Sequence, residues 1–267
     1  MRNFRLVLAY DGSEFHGWQV QTGLATVQGT LVEALARITG ERVLPQGSGR
    51  TDAGVHALAQ VASVALASTI PAANLHTALN DVRPTAIRDL EVAEAAADFH
   101  ARHSARAKTY RYRIHRGAIC PPFLARYVYH HPYPLDEAAM LHAASLIEGT
   151  HDFTSFAAVD PERSRKTEST VQREEKAGRE AEEEGGIGNQ RTILSSRWER
   201  QGDELIYTVR GSGFLHHMVR NLVGTFLLIG KGTLDEPGLR RILELKQRSA
   251  AGQTAPASGL YLFEVEY

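Results

Sequence analysis

A chain of 267 residues, 43% hydrophobic and with a net charge of -1, is long enough for one large or two modest cores; two are expected. Its charge balance gives no global attraction to nucleic acid, so any polyanion footprint has to be local. A single cysteine, Cys120, excludes an internal disulfide framework, and the longest apolar run, 214–229, is interrupted by His216, His217, Arg220 and Asn221 and falls short of the roughly 20 residues of a membrane span. Met1 leads directly into a strand-like run instead of a secretory leader, so the expected location is the cytoplasm, with no membrane partner.

The pattern predicts a strand over 4–10 ending at Asp11-Gly12, then a helix over 27–38 stopped by Gly40. Strand 59–66, helix 71–79 opening at a proline and strand 87–92 continue the alternation. The run 108–115 alternates strictly, with Tyr110, Tyr112 and Ile114 on one face and Thr109, Arg111, Arg113 and His115 on the other. A helix over 135–148, a hairpin of 192–200 with 204–210, a helix over 214–229, a helix over 235–248 with Pro237 in its first turn, and a final strand 260–266 form a second mixed unit. The division is placed at 1–105 and 106–267.

Charge is unevenly distributed. From 99 to 135 there is no Asp or Glu, while Arg102, Arg106, Lys108, Arg111, Arg113, Arg116 and Arg126 supply seven cations, a local footprint for a polyanion. The stretch 160–191 holds nine acids and seven bases with few apolar residues and reads as a charged, mobile insertion.

Within this frame the decapeptide Gly49-Arg50-Thr51-Asp52-Ala53-Gly54-Val55-His56-Ala57-Leu58 sets one carboxylate between an arginine and a histidine in a loop where glycines 47, 49 and 54 permit backbone angles closed to other residues. On spacing alone the plain reading of Asp52 is an Asx turn or a helix cap. Tyr110, Arg111, Tyr112 and Arg113 suit a base stacked on a ring with cations on phosphate, and equally suit an ordinary amphipathic edge strand. Arg220 lies on the flank of the apolar stripe formed by Leu215, Met218, Val219, Leu222, Val223 and Phe226, where a guanidinium either snorkels to solvent or pairs with a carboxylate such as Asp52. The His216-His217, His130-His131 and His100/His103 pairs lack metal-ligand spacing and read as structural or surface residues; no metal is expected. No phosphate loop and no Gly-x-Gly-x-x-Gly opening a helix is present, so no nucleotide cofactor is expected.

Six motifs then occur in order: Tyr10-Asp11-Gly12 with Phe15-His16-Gly17-Trp18-Gln19, the Asp52 loop, Phe99-His100-Ala101-Arg102, Lys108-Thr109-Tyr110-Arg111-Tyr112, Gly213 to Asn221, and Ala255-Pro256-Ala257 leading to Gly259-Leu260-Tyr261-Leu262. In these the chain resembles the A-type tRNA pseudouridine synthases over most of its length. The resemblance implies an α+β fold: two related α/β halves around a central, mixed and largely antiparallel sheet, with the active cleft between them. It implies Asp52 as nucleophile, Arg220 as its ion-pair partner, Tyr110 as the ring against the target base and candidate proton acceptor, and Leu260 as an apolar wall. Arg50 would hold or extrude the nucleotide, and His56, Arg102, Lys108, Arg111 and Arg113 complete the expected substrate contacts. The implied activity is isomerisation of uridine to pseudouridine at positions 38, 39 and 40 of the tRNA anticodon arm, by a homodimer without metal or organic cofactor.

That chemistry breaks C1′–N1, turns the uracil and joins C1′ to C5, so nothing is oxidised or hydrolysed and one carboxylate suffices. Asp52 either adds to the base at C6 or assists departure of uracil with loss of a ribose proton; both routes stay open. Stacked uridines must be flipped out at a cost of a few kcal/mol. His103 departs from the family pattern, which usually has phenylalanine there. Two other classes compete with this one. A non-catalytic RNA-binding module would not need Asp52, and a metal-dependent nuclease would need convergent carboxylates, which cluster mainly in 160–191.

Overall fold

A computed structural model of the chain describes residues 1–158 and 188–267 and divides into two compact units, 1–109 with 257–267, and 110–256. The first unit opens with β1 (Arg2–Tyr10), whose Phe4, Leu6, Leu8 and Tyr10 all point into the core, the period-two burial expected of a strand with one wet face. After α1 (Val27–Thr39) and the two-residue β2 (Gln46–Gly47) come β3 (His56–Leu66), α2 (Ala72–Val82) and β4 (Ile87–Ala95). β1 is flanked antiparallel by β3, with Arg2 opposite Leu66, and by β4, with Tyr10 opposite Ile87. Gly40 ends α1 at φ 76°, as the sequence pattern predicts, and Thr26 caps its start by accepting from Gly29 N–H at 3.2 Å. α2 starts behind Pro71 and runs to Val82, beyond the predicted 79. The extra turn brings the buried Arg83 guanidinium into an ion pair with Asp89 of β4.

The chain passes into the second unit along β5 (Ala107–His115), followed by β6 (Tyr129–His130), α3 (Glu137–Ser145), β7 (Gly149–Asp152), β8 (Gln190–Gln201), β9 (Glu204–Gly211), α4 (Met218–Gly230) and α5 (Glu236–Leu245). Strand order in this unit is β5-β9-β8-β7, with β6 parallel to β5. β8 and β9 form the predicted hairpin, turning at Gly202 with φ 57°. Its core is aromatic: Trp198 and Tyr207 lie 4.9 Å apart, and Phe226 of α4 packs edge-on to Tyr207 at 5.3 Å. The stretch read as a charged insertion falls, apart from 188–191, outside the described residues, and Gln190 and Arg191 already belong to β8.

Other helix boundaries differ from expectation as well: α3 ends at Ser145, not 148, and α5 at Leu245, not 248. α3 starts at Glu137, not 135, because Asp136 takes the cap position and accepts from Ala139 N–H at 2.9 Å. α4 starts at Met218, not 214, because His217 is held in the left-handed conformation at φ 60°, which no helical turn accommodates. α4 is also buried nearly all round, including Asn221 and Thr225, so the single apolar stripe understates its role as a core helix.

The last strand, β10 (Leu260–Glu266), belongs to the first unit and runs parallel to β3, with Tyr261 opposite His56 and Leu262 opposite Ala57. Each unit therefore combines antiparallel ladders with a parallel pair and helices, which is the expected mixed α+β class. Among the described residues no helix is long and apolar enough to cross a membrane.

Candidate active site

In the first unit the Asp52 loop leaves β2 and enters β3, and nearly every residue beside Asp52 is anchored. Ser48 N–H donates to Val61 O at 2.7 Å, and its hydroxyl donates to Gln60 Oε1 at 2.6 Å. Gln60 Nε2 donates to Gly49 O at 2.9 Å and reaches the Tyr10 hydroxyl at 3.5 Å. The Tyr10 hydroxyl bonds to Thr51 Oγ1 at 2.8 Å, and Trp18 N–H donates to Thr51 O at 3.0 Å. Burial pushes the Tyr10 pKa up to about 12 against those hydrogen bonds, so its hydroxyl stays a neutral strut at physiological pH. The loop then turns: Val55 N–H donates to Asp52 O at 3.1 Å, with Gly54 at φ 78°. Asp52 sits at the head of this turn, partly exposed, while Thr51 before it and Val55 after it are buried.

Of the three loop glycines that permit angles closed to other residues, only Gly54 uses one. Gly47 is required for space, since a Cβ there would lie 2.5 Å from the Trp18 ring. Two glycines outside the loop matter as much. A Cβ on Gly12 would meet Val55 O at 2.0 Å, and one on Gly17, at φ 85°, would meet Thr51 O at 2.6 Å. The Tyr10-Asp11-Gly12 and Gly17-Trp18 motifs are thus the bed on which the carboxylate loop lies.

The same unit brings His56 and Leu260 to this loop. His56 is buried, accepts on Nδ1 from Gly12 N–H at 3.1 Å and stacks on Tyr261 at 4.8 Å. The parallel register that sets Tyr261 opposite His56 puts the buried Leu260 level with Val55, at the loop's exit. Arg50 and Arg102 are exposed and Lys108 is half-buried on β5. Behind Arg102, Phe99 packs on Tyr267 at 5.0 Å and Ala101 O accepts from the Tyr267 hydroxyl at 2.7 Å. His100 Nδ1 accepts from the Arg102 and His103 N–H groups, and the exposed His103 ring lies 4.3 Å from the His100 ring, so the departure from phenylalanine is absorbed at the surface.

In the second unit Tyr110 is buried on β5 and meets the edge of Phe214 at 4.9 Å and 76°. Tyr112, two residues on and on the same face, donates its hydroxyl to Pro256 O at 2.8 Å; burial drives its pKa well above the ordinary tyrosine value, opposed by the nearby positive charge of Arg220. Arg220 leaves the first turn of α4 and donates from Nε to Ala255 O at 2.8 Å. Arg111 is half-buried, and Arg113 is engaged by Glu204 of β9 in a two-point pair at 2.6 and 2.7 Å. The His216 and His217 rings lie 4.0 Å apart, tilted by 35°, ahead of α4, His130 bonds Gly117 O, and His131 Nδ1 accepts from Arg116.

Sequence reasoning passed over Gln60 and Ser48, and over Arg248 and Thr254, which hold the segment after α5. The available signal for Gln60 was a lone amide in the apolar run 59–66, since a buried amide has to find partners for both ends.

The matched motifs and the α+β fold meet in one family. The chain belongs to the tRNA pseudouridine synthases: the family model described as tRNA pseudouridine synthase matches residues 6–104 and 143–267. It is 51% identical to tRNA pseudouridine synthase A of Solibacter usitatus and 43% identical to tRNA pseudouridine synthase A of Brevibacillus brevis, in each case over 100% of both chains. A third relative, tRNA pseudouridine synthase A 1 of Desulfotalea psychrophila, is 40% identical over the same full extent. The chain is accordingly an isomerase that acts on tRNA, as its motifs led one to expect.

Proposed function

We propose that this chain converts uridine to pseudouridine at positions 38, 39 and 40 of the tRNA anticodon arm, with Asp52 as nucleophile, as a cytoplasmic homodimer. The observation that carries the reading is the Asp52 turn: its neighbours are pinned by Tyr10, Trp18, Ser48 and Gln60, while the carboxylate itself remains partly exposed. A carboxylate presented in that way is preorganised for attack on a base brought to it, and it spends no reorganisation energy at the moment of reaction.

In this reading Arg220 pairs with ionised Asp52, Tyr110 packs against the flipped uracil, and Leu260 closes the apolar side. Uracil leaves C1′ through N1, rotates and rejoins through C5; the proton lost from C5 goes to a base, for which Tyr110 is the candidate. Arg50, Arg102, Lys108 and Arg111 act as the substrate contacts, with stacking and phosphate contacts offsetting the flipping cost of a few kcal/mol; His56, expected among them, is buried against Gly12 and Tyr261 and serves instead by supporting the loop. Arg113, tied to Glu204, serves by shaping β5 and contributes less charge to phosphate than its neighbours.

The test is tritium release from tRNA carrying 5-tritiated uridine, joined to site-resolved mapping of pseudouridine. Asp52→Ala should abolish release while tRNA binding persists; equal release from both proteins would refute the nucleophile, and modification outside 38–40 would refute the positions.

A further inference from the structure

Beyond α5 the chain turns through the short 3-10 segment Arg248–Ala250 and lies across α4 with unusual closeness. A Cβ on Gly224, in the middle of α4, would sit 1.7 Å from Gln253 O, and one on Gly252 would sit 2.5 Å from the Gly224 carbonyl. Backbone meets backbone here, and glycine is the residue that permits it. Thr225 Oγ1 accepts from Gly252 N–H at 2.9 Å. Asn221 is fully buried: its Nδ2 donates to Phe156 O at 2.6 Å, and its Oδ1 accepts from the Thr254 hydroxyl at 2.7 Å and from Arg248 Nη2 at 2.9 Å.

Arg248 completes the knot. Its four hydrogen bonds run to Ala251 O, Gly252 O, Asn221 Oδ1 and Thr254 Oγ1, all neutral oxygens. Such a set neutralises no charge; it fixes the path of residues 251–254. One residue later that path delivers Ala255, whose carbonyl accepts from Arg220 Nε at 2.8 Å and whose N–H donates to Arg220 O at 3.2 Å. A guanidinium is planar, so tying Nε to a fixed carbonyl also fixes the direction in which its two Nη groups face.

We propose that Arg248, acting through Asn221 and Thr254, is a positioning residue for Arg220, locking the 251–255 strap so that the Ala255 carbonyl holds the Arg220 guanidinium in one orientation. The proposal rests on the reading of Arg220 as the ion-pair partner needed for turnover.

The experiment compares Arg248→Met, Thr254→Val, Thr254→Ser, Arg220→Met and the double variant Arg220→Met/Arg248→Met for tritium release, tRNA affinity and urea unfolding. Loss of a hydrogen bond to a charged group is worth about tenfold or somewhat more, so Arg248→Met and Thr254→Val should lower kcat by about tenfold with KM and tRNA affinity unchanged. Thr254→Ser, which keeps the hydroxyl, should recover most of that loss. In the Arg220→Met background Arg248→Met should cost nothing further, because the two act as one unit. Undiminished kcat in Arg248→Met, losses that multiply in the double variant, or a loss confined to KM would each overturn the proposal. Normal turnover in Arg220→Met would instead overturn the role of Arg220 on which it stands.

Discussion

Replacing Gln60 with leucine deletes both ends of the amide that clamps the Asp52 loop while keeping its approximate volume. Ser48 and Gln60 are both fully buried, and the substitution strands the Ser48 hydroxyl and removes the donor from the carbonyl of the half-buried Gly49. The stranded hydroxyl costs about 1–3 kcal/mol and the lost bond to the carbonyl about 0.5–1.5, or about 1.5–4.5 together. The added apolar burial of leucine returns about 1 kcal/mol. The net loss, about 0.5–3.5 kcal/mol, is a substantial part of a typical total stability of about 5–15. It should appear as a lower urea midpoint followed by tryptophan fluorescence, to which Trp18, in contact with Gly47, contributes directly. Because Gly49 lies three residues before Asp52, the loosened loop should also lower tritium release by about tenfold or more. The double variant Ser48→Ala/Gln60→Leu removes the stranded hydroxyl and should recover about 1–3 kcal/mol of stability. A Gln60→Leu protein with the wild-type midpoint and wild-type turnover would refute the view that this amide holds the site.

Two further outcomes are expected. Burial, reinforced by the charges of Lys231 and Arg116, holds the His131 pKa below its ordinary value, and the ring is neutral in the fold with Nδ1 accepting from Arg116. The unfolded chain therefore binds this proton first as pH falls, so the contribution to stability is complete above about pH 6.5 and is lost as pH drops from there toward the folded pKa. His100 is shifted the same way, so His131→Asn should flatten only part of the fall in urea midpoint between about pH 8 and pH 5; parallel curves would refute the assignment. If the acid-free segment 99–135 contacts phosphates, tRNA affinity should fall steeply with salt, and a flat response would move the binding face elsewhere.

The elements were legible wherever periodicity and caps agreed. β1 shows its strand pattern, α1 its helical spacing and Gly40 stop, and β8 and β9 their pairing as a hairpin. Boundaries failed where one backbone conformation overrode composition. Residues 214–217 look as helical as those that follow, yet left-handed His217 delays α4 to Met218. The glycines mislead in the same way: Gly47 looks like a turn residue and is small because Trp18 lies on it, a contact spanning 29 positions of chain.

By itself, then, the amino-acid order determined the residue types needed for the chemistry and their motifs: one carboxylate in a glycine-punctuated loop, a tyrosine strand among cations, and an arginine on the flank of an apolar helix. Local propensity and periodicity act over a few residues, so these features are written locally. Tertiary structure alone decided what surrounds them. Gln60 became the clamp of the Asp52 loop because both ends of a buried amide must be satisfied, and Gly49 and Ser48 are the groups within reach. β10 returns to pair with β3, setting Leu260 level with Val55, because a strand edge is completed by whichever segment can hydrogen-bond to it, however distant in the chain. Arg248 came to govern the path of Ala255 because two glycines, 224 and 252, let backbones approach more closely than any side chain would allow.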